Sequence, residues 1–141
     1  MFSMCVRISR SFTITEEKMM KYASLSGDFN PIHLYQDEAE RSGFKAPIAH
    51  GMLTMGLSLD IVSSFTEKGM MVFTFQMQFL KPIYMNDTIH LVAKIMLEGE
   101  IVDLFIEGRN NENEAVVRGK LSLADGDYIK KDEQVLHNLL T

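Results

Sequence analysis

The sequence predicts an α+β fold in which an antiparallel β-sheet wraps around a central buried α-helix. The stretch from His50 to Phe65 is apolar on nearly every side and has Asp60 as its single charged residue. A helix of that composition belongs inside a protein rather than on its surface. The later half of the chain alternates apolar and polar residues, a period of two that is typical of half-buried strands. Together these observations predict a sheet whose apolar face is covered by the helix.

The alternating pattern occurs in four segments, which begin and end with inward-facing residues: Phe73 to Phe79, Ile89 to Leu97, Val102 to Ile106 and Ala115 to Leu123. Turn-forming residues at 98–99 and 110–113 separate the last three segments. Because the links are short, we expect the strands to be antiparallel neighbours. Residues 6–9 alternate in the same way, which predicts a first strand. This prediction is preferred to a transit peptide, which the acid-free stretch of residues 1–15 also resembles.

Helix signals lie between the first strand and the apolar stretch. Thr13 and Glu16 have the spacing of a capping box, which predicts a helix that begins there and ends at Gly27. A shorter helical turn is expected over residues 36–42, with Gly43 ending it.

Length and composition indicate one globular domain. The chain has 141 residues, of which 46% are hydrophobic and 23% are charged, close to the usual values for globular proteins. The formal net charge of −5 argues against nucleic acid as the main partner, because phosphate binding needs clustered cations. No apolar run approaches the ~20 residues of a membrane span. The single cysteine, Cys5, allows no intrachain disulfide and favours a cytoplasmic protein.

The stretch from Gly27 to His33 carries the clearest chemical signal. Asp28 and His33 stand five residues apart across the Asn30–Pro31 pair. Pro31 lacks an N–H and disfavours the α region for Asn30, so the two groups do not share a helical face. A carboxylate and an imidazole held on a rigid turn can converge on one water. Alone, Asp28 is equally consistent with a turn-capping residue, and a lone His33 is more often a packed histidine. The pair predicts catalysis.

Two motifs carry a resemblance to a known family. The first comprises residues of the kind that the family has at each position: Tyr22, Leu25, Ser26, Gly27, Asp28, Asn30, Pro31, Ile32, His33 and Ala39. The second, residues 47–52, lies at the expected distance. On these residues the sequence resembles the MaoC-like dehydratase family, specifically the (R)-specific enoyl-CoA hydratases of the hot-dog fold. We therefore expect one hot-dog domain over residues 1–124 and a C-terminal extension over residues 125–141.

The resemblance implies hydration of a trans-2-enoyl-CoA to the (R)-3-hydroxyacyl-CoA, and the reverse dehydration. It assigns Asp28 to take a proton from the attacking water, and His33 to hold that water and help deliver the proton to C2. It assigns the backbone N–H of Gly51 to the thioester oxygen, which a helix N-terminus favours physically. No metal and no cofactor are implied, and coenzyme A enters only as part of the substrate. A homodimer or larger homo-oligomer is expected.

Other interpretations remain open at this point. An acyl-CoA thioesterase and a non-catalytic acyl-CoA-binding protein share the fold, and an acyl carrier protein can replace coenzyme A. Asp28, His33 and His50 are suitable ligands for zinc but lack a compact ligand motif, so no metal site is predicted. His50 is assigned a structural role, either capping the central helix or packing beside the site.

Overall fold

The computed structural model describes residues 6–128 and 137–138. Its elements follow in chain order as β1 (Val6–Thr13), α1 (Glu16–Ser26), α2 (Pro31–Leu34), α3 (Gln36–Arg41), α4 (Gly51–Ser58), a 3₁₀ turn (Leu59–Val62), α5 (Ser63–Thr66), β2 (Met70–Phe79), β3 (Thr88–Glu98), β4 (Ile101–Arg109) and β5 (Ala115–Asp125). Among the described residues, every helix lies between β1 and β2 apart from the helical residues 126–128 and 137–138. After β1, the chain therefore divides into a helical part and a sheet part, as the two periodicities indicate.

The five strands form one antiparallel sheet in the order β1-β3-β4-β5-β2. Its inward face supplies most of the core, and the largest of these side chains are at most 1% exposed: Ile89, Leu91, Leu104, Leu121 and Leu123. The predicted alternation is confirmed from Ile89 to Ile95 of β3 and along β4, where the residues between the core positions are more exposed. It is wrong at Leu97, which is 59% exposed near the end of β3. It is also wrong in β2, where a register shift lies between Val72 and Thr74 and the predicted inward residues Phe73 and Phe79 are 41% and 43% exposed. The core is completed from the helical side by Leu53, Ile61 and Val62.

The expectation that successive strands are neighbours is wrong for β2 and β3. β2 pairs with β5 at one edge of the sheet, and β3 pairs with β1 and β4. The connection over residues 80–87 contains Pro82, which has no N–H for a strand ladder. Instead of turning back, this connection runs beside the segment before α4, where Ile48 and Tyr84 form an isolated antiparallel bridge. The crossing holds the start of α4 against the end of β2.

The apolar stretch is not one continuous helix buried on all sides. It is divided into α4, the 3₁₀ turn and α5. Ser58 donates a 2.7 Å hydrogen bond from its hydroxyl to the carbonyl of Thr54, a bond that bends helices. Asp60 then reaches Arg10 of β1 at 3.6 Å. Met52 remains 64% exposed on the face turned away from the sheet. The segment therefore covers the sheet on one face only.

The first helix begins two residues later than the capping-box pattern predicts. Thr15, not Thr13, is the N-cap, and its hydroxyl accepts from the N–H of Lys18 at 3.1 Å. Thr13 is instead the last residue of β1, where its hydroxyl pairs with that of Thr88. The predicted end of the helix at Gly27 is confirmed, with φ of 77°.

Within residues 6–128 and 137–138, no helix is both long enough and apolar enough to span a membrane. Most of the predicted C-terminal extension lies outside the described residues, namely 129–136 and 139–141. The boundary at residue 124 therefore stays a prediction.

Candidate active site

The turn that follows α1 positions Asp28. Gly27 adopts the left-handed conformation that ends the helix, which residues with a Cβ rarely adopt. The hydroxyl of Ser26 then accepts from the N–H of Asp28 at 3.1 Å. Oδ1 of Asp28 accepts from the N–H of Asn30 at 3.2 Å. Asp28 thus does form the turn, but it does so with one oxygen and leaves Oδ2 free for other contacts.

His33 is carried by α2, a single helical turn. Asn30 is its N-cap, with φ −55° and ψ 125°, and its side-chain oxygen accepts from the N–H of Ile32 at 3.3 Å. Pro31 occupies the first helical position, where its missing N–H costs nothing. Asn30 thus has a structural role as the cap of α2. The prediction that Asp28 and His33 do not share a helical face is confirmed, because Asp28 lies between α1 and α2 and His33 lies within α2.

The structure brings Asp28 and His33 together. Oδ2 of Asp28 lies 3.7 Å from Nε2 of His33. Nδ1 of His33 donates to the carbonyl of Ile48 at 2.7 Å, which leaves Nε2 facing the carboxylate. A gap of 3.7 Å is too long for a direct hydrogen bond and suits a water that bonds to both groups. The Asp28 side chain is 49% exposed and that of His33 is 11% exposed, so the pair is reached from the carboxylate side.

A second histidine completes this cluster. His50 is 2% exposed and is the N-cap of α4. Its Nε2 lies 3.1 Å from the backbone carbonyl of Asp28. Its ring stacks on that of His33 with centroids 3.8 Å apart and meets Tyr22 edge-on at 4.8 Å. Burial lowers the pKa of His50 below its ordinary value of 6.5, against a smaller opposing contribution from the hydrogen bond to Asp28. Burial thus favours the neutral form of His50.

Gly51 begins α4, so its N–H is among the helical N–H groups without a partner within the helix. It lines a cavity of about 330 Å³ together with Phe44, Ile48, Ala49, Thr54, Phe79, Leu80, Lys81, Pro82 and Ile83. A Cβ at position 51 would lie 3.4 Å from the ring of Phe79. Asp28 and His33 do not line this cavity. Gly51 is connected to them through His50, its neighbour in the chain.

The prediction that His50 packs beside the site is confirmed, whereas its side chain forms no hydrogen bond that caps α4. Its direct contact with both predicted catalytic residues goes beyond that prediction. One signal pointed to it. His50 immediately precedes Gly51, and a residue at that place must lie beside any group that works at the start of the helix. Periodicity cannot show that His50 lies beside the turn that contains Asp28. The loop of residues 44–49 places it there, and this loop is held by the hydrogen bond from the N–H of Ile48 to the carbonyl of Ile32.

The three residues also offer one metal-ligand atom each within 4.8 Å of one another. A histidine nitrogen binds a metal ion in the plane of its ring. The His33 and His50 rings are stacked with their centroids 3.8 Å and their planes 27° apart, so a metal ion at bonding distance in the plane of one ring would lie outside the plane of the other. The closest nitrogen-to-carbonyl contacts, at 2.7 and 3.1 Å, already use one nitrogen of each ring. This arrangement fits a shared water better than a tetrahedral zinc ion.

Several known proteins are similar to this chain. The (R)-specific enoyl-CoA hydratase of Rhodospirillum rubrum is 35% identical over 78 residues, which cover 55% of this chain and 54% of that protein. The mitochondrial 3-hydroxyacyl-[acyl-carrier-protein] dehydratase of Arabidopsis thaliana is 32% identical over 117 residues, covering 79% of this chain and 69% of that protein. The chain spans only 12% and 29% of two longer curated relatives.

A solved structure, the (R)-hydratase from A. caviae involved in PHA biosynthesis, superposes with a TM-score of 0.71 and 24% identity, over 87% of this chain and 95% of that one. This likeness confirms the α+β hot-dog architecture. Residues 3–116 match the family described as MaoC like domain, which is most of the chain. The chain therefore belongs to the MaoC-like domain family.

Proposed function

We propose that this protein hydrates trans-2-enoyl thioesters to (R)-3-hydroxyacyl thioesters and catalyses the reverse dehydration. The observation that carries the proposal is the 3.7 Å separation of Asp28 Oδ2 and His33 Nε2 beside the start of α4. Family membership and relatives named as (R)-specific enoyl-CoA hydratase and 3-hydroxyacyl dehydratase support an activity of this kind.

In the forward direction, one water between Asp28 and His33 adds across the double bond. Asp28 takes a proton from the water as its oxygen bonds to C3. His33 holds the water through Nε2 and relays this proton from Asp28 to C2, so both groups return to their starting forms and the second water proton stays on the new hydroxyl group. The sum is the addition of one water, with no net oxidation or reduction, so we propose that no metal ion and no redox cofactor take part. General acid and base groups placed in this way typically contribute about 10²- to 10⁴-fold in rate.

The thioester oxygen gains negative charge while C3 is attacked. We assign the N–H of Gly51 to this oxygen, because the first N–H groups of α4 point outward from the positive end of the helix. The cavity beside Gly51 is lined mainly by apolar side chains and contains Lys81 at its polar side. Leu25, Phe29 and Met52 lie near Asp28 or Gly51 in the chain and are 82%, 54% and 64% exposed. Such apolar surface is suited to an acyl chain or to a second copy of the protein.

We further propose a homodimer as the smallest assembly. β2 is an edge strand, and an edge strand presents unpaired backbone groups that a second chain can satisfy. Met71, Phe73 and Phe79 of this strand are 54%, 41% and 43% exposed. The acyl group is carried by coenzyme A or by an acyl carrier protein, and the relatives named above include both classes.

The test follows the loss of enoyl-thioester absorbance with crotonyl-CoA and with a longer trans-2-enoyl-CoA. Asp28→Asn and His33→Ala should each lower kcat by about 10²-fold or more. Asp60→Asn and His90→Ala are matched controls, since both side chains are exposed and lie on other elements. Product stereochemistry is read from the same samples. Release of free coenzyme A without hydration would identify a thioesterase, and acyl-CoA binding without either reaction would identify a binding protein.

A further inference from the structure

We propose that His50 is a positioning residue, which holds Asp28 and His33 at the separation that one water can bridge. This inference rests on the proposed hydration reaction and deepens it. It concerns a side chain that neither donates to the substrate nor is reached by solvent, since His50 is 2% exposed. Its action is therefore through the two residues that it contacts.

The first contact restrains Asp28. A backbone carbonyl only accepts hydrogen bonds, so the 3.1 Å contact between His50 Nε2 and the carbonyl of Asp28 requires a proton on Nε2. This bond ties the turn after α1 to the N-cap of α4. Asp28 is otherwise held by its bonds with Ser26 and Asn30, which are exposed. The bond from His50 connects the backbone of Asp28 to α4.

The second contact restrains His33. The His33 ring is fixed at its edge by the 2.7 Å bond to Ile48, and on its face by the His50 ring, 3.8 Å away between centroids. Both restraints keep Nε2 directed at Asp28. Because the His50 side chain contacts both Asp28 and His33, we infer that the 3.7 Å separation between these two residues depends on His50.

The charge state of His50 matters for the same reason. With Nε2–H donated to Asp28, its Nδ1 is buried and has no hydrogen-bond partner among residues 6–128 and 137–138. The titratable groups that face His50 are His33 from α2, Asp28 from the turn and Tyr22 from α1. A second proton on His50 would have no acceptor and would place a cation against His33. The surroundings of the His50 ring therefore favour its neutral form while His33 binds and releases a proton.

Two experiments test the proposal, and the first does not depend on activity. The chain has four histidines, so long-range ¹⁵N–¹H correlation spectra can resolve each ring. At pH 7 the His50 ring should be neutral with its proton on Nε2, and the His33 ring should carry a proton on Nδ1. A charged His50 at pH 7, or a neutral one protonated on Nδ1, would overturn the proposal even in a protein without hydratase activity.

The second experiment compares His50→Phe, which keeps a flat ring but no donor, with His50→Gln, which keeps a donor but no ring. We expect His50→Phe to lower kcat by about 100-fold with KM changed by less than about threefold, because misplacement of about 1 Å has effects of that size. His50→Gln should recover about tenfold of the loss by donating to Asp28. The fall of kcat/KM at acid pH should become shallower in His50→Phe and stay unchanged in the exposed control His90→Phe.

A folded His50→Phe variant with kcat within about twofold of wild type would overturn the inference. If His50→Phe does not fold, His50→Gln provides the test. A wild-type kcat and an unchanged pH profile in His50→Gln would show that His50 has no positioning role. Absence of hydration in the wild-type protein would instead reject the proposed function, while the histidine spectra would still report on His50.

Discussion

The ring of Phe79 lies 3.4 Å from the point where a Cβ would stand on Gly51. Phe79 ends β2 and Gly51 begins α4, so this contact is where the edge of the sheet meets the start of the helix. A glycine at this position keeps the helix N-terminus open to a ligand in the cavity that both residues line. Gly51 has no positive φ, so the backbone conformation does not require a glycine at this position.

Gly51→Ala is expected to lower kcat/KM about 10- to 100-fold, because the new methyl group displaces the thioester from the N–H at position 51. Stability should change by about 0.5 kcal/mol or less, since the position is helical and the methyl group only touches the ring of Phe79. Enoyl-CoA hydration and thermal unfolding measure the two effects. The control is Gly56→Ala in the same helix, where a Cβ has no neighbour within 4 Å. Equal activity of the two variants would contradict the assignment of Gly51.

The stability of the protein should depend on the titration of His50. Its pKa is lowered by burial from the ordinary value of 6.5, so the unfolded chain binds a proton there at a higher pH than the folded chain does. The contribution of His50 to stability is therefore complete above pH 6.5 and declines as the pH falls below it. Thermal unfolding between about pH 7.5 and pH 5.5 should show Tm falling on acidification.

The same unfolding series on His50→Phe isolates this effect. Because phenylalanine has no proton to gain, the dependence of Tm on pH should be weaker in the variant than in wild type. Two parallel curves would show that another group sets the acid dependence.

Gly119→Ala is expected to destabilise the fold by about 1–3 kcal/mol, as overpacking of a tight contact does. A Cβ at this position of β5 would lie 2.4 Å from the carbonyl oxygen of Gln76 and 3.3 Å from Cα of Met77. Both atoms belong to the backbone of β2, which must move away as a unit. Chemical denaturation measures the change. Gly56→Ala again serves as the control and should stabilise by up to about 1 kcal/mol, because alanine has the higher helix propensity.

A lysine on the edge strand should prevent the proposed dimer. Met71→Lys places a charge at an exposed position of β2, which disfavours strand pairing between two copies. Light scattering on a sizing column should report a dimer for wild type and a monomer for Met71→Lys. Met96→Lys, on β3 and 42% exposed, adds the same charge away from the edge and should remain dimeric. A monomeric wild-type protein would reject the proposal.

Local sequence patterns predicted the structure correctly where it depends on interactions between residues that are close together in the chain. The alternation over residues 88–97 depends on each residue and its immediate neighbours, and it correctly identifies β3. Gly27 ends α1 because of its own backbone freedom. In contrast, two residues compete for the cap of α1, and Thr15 is the cap because Thr13 is already part of the ladder with β3. That competition involves a residue 75 positions away and leaves no local trace.

By itself, the sequence determined the fold class, the strands and the candidate residues Asp28, His33 and Gly51. Periodicity, turn chemistry and motif spacing depend only on residues that are near one another in the chain. The tertiary structure decided three further points. It placed β2 beside β5, divided the apolar helix at Ser58, and brought His50 against the Asp28–His33 pair. Each of these depends on contacts between segments that are distant in the chain, and the free energy of such contacts is set by packing and hydrogen bonding in three dimensions rather than by local preference.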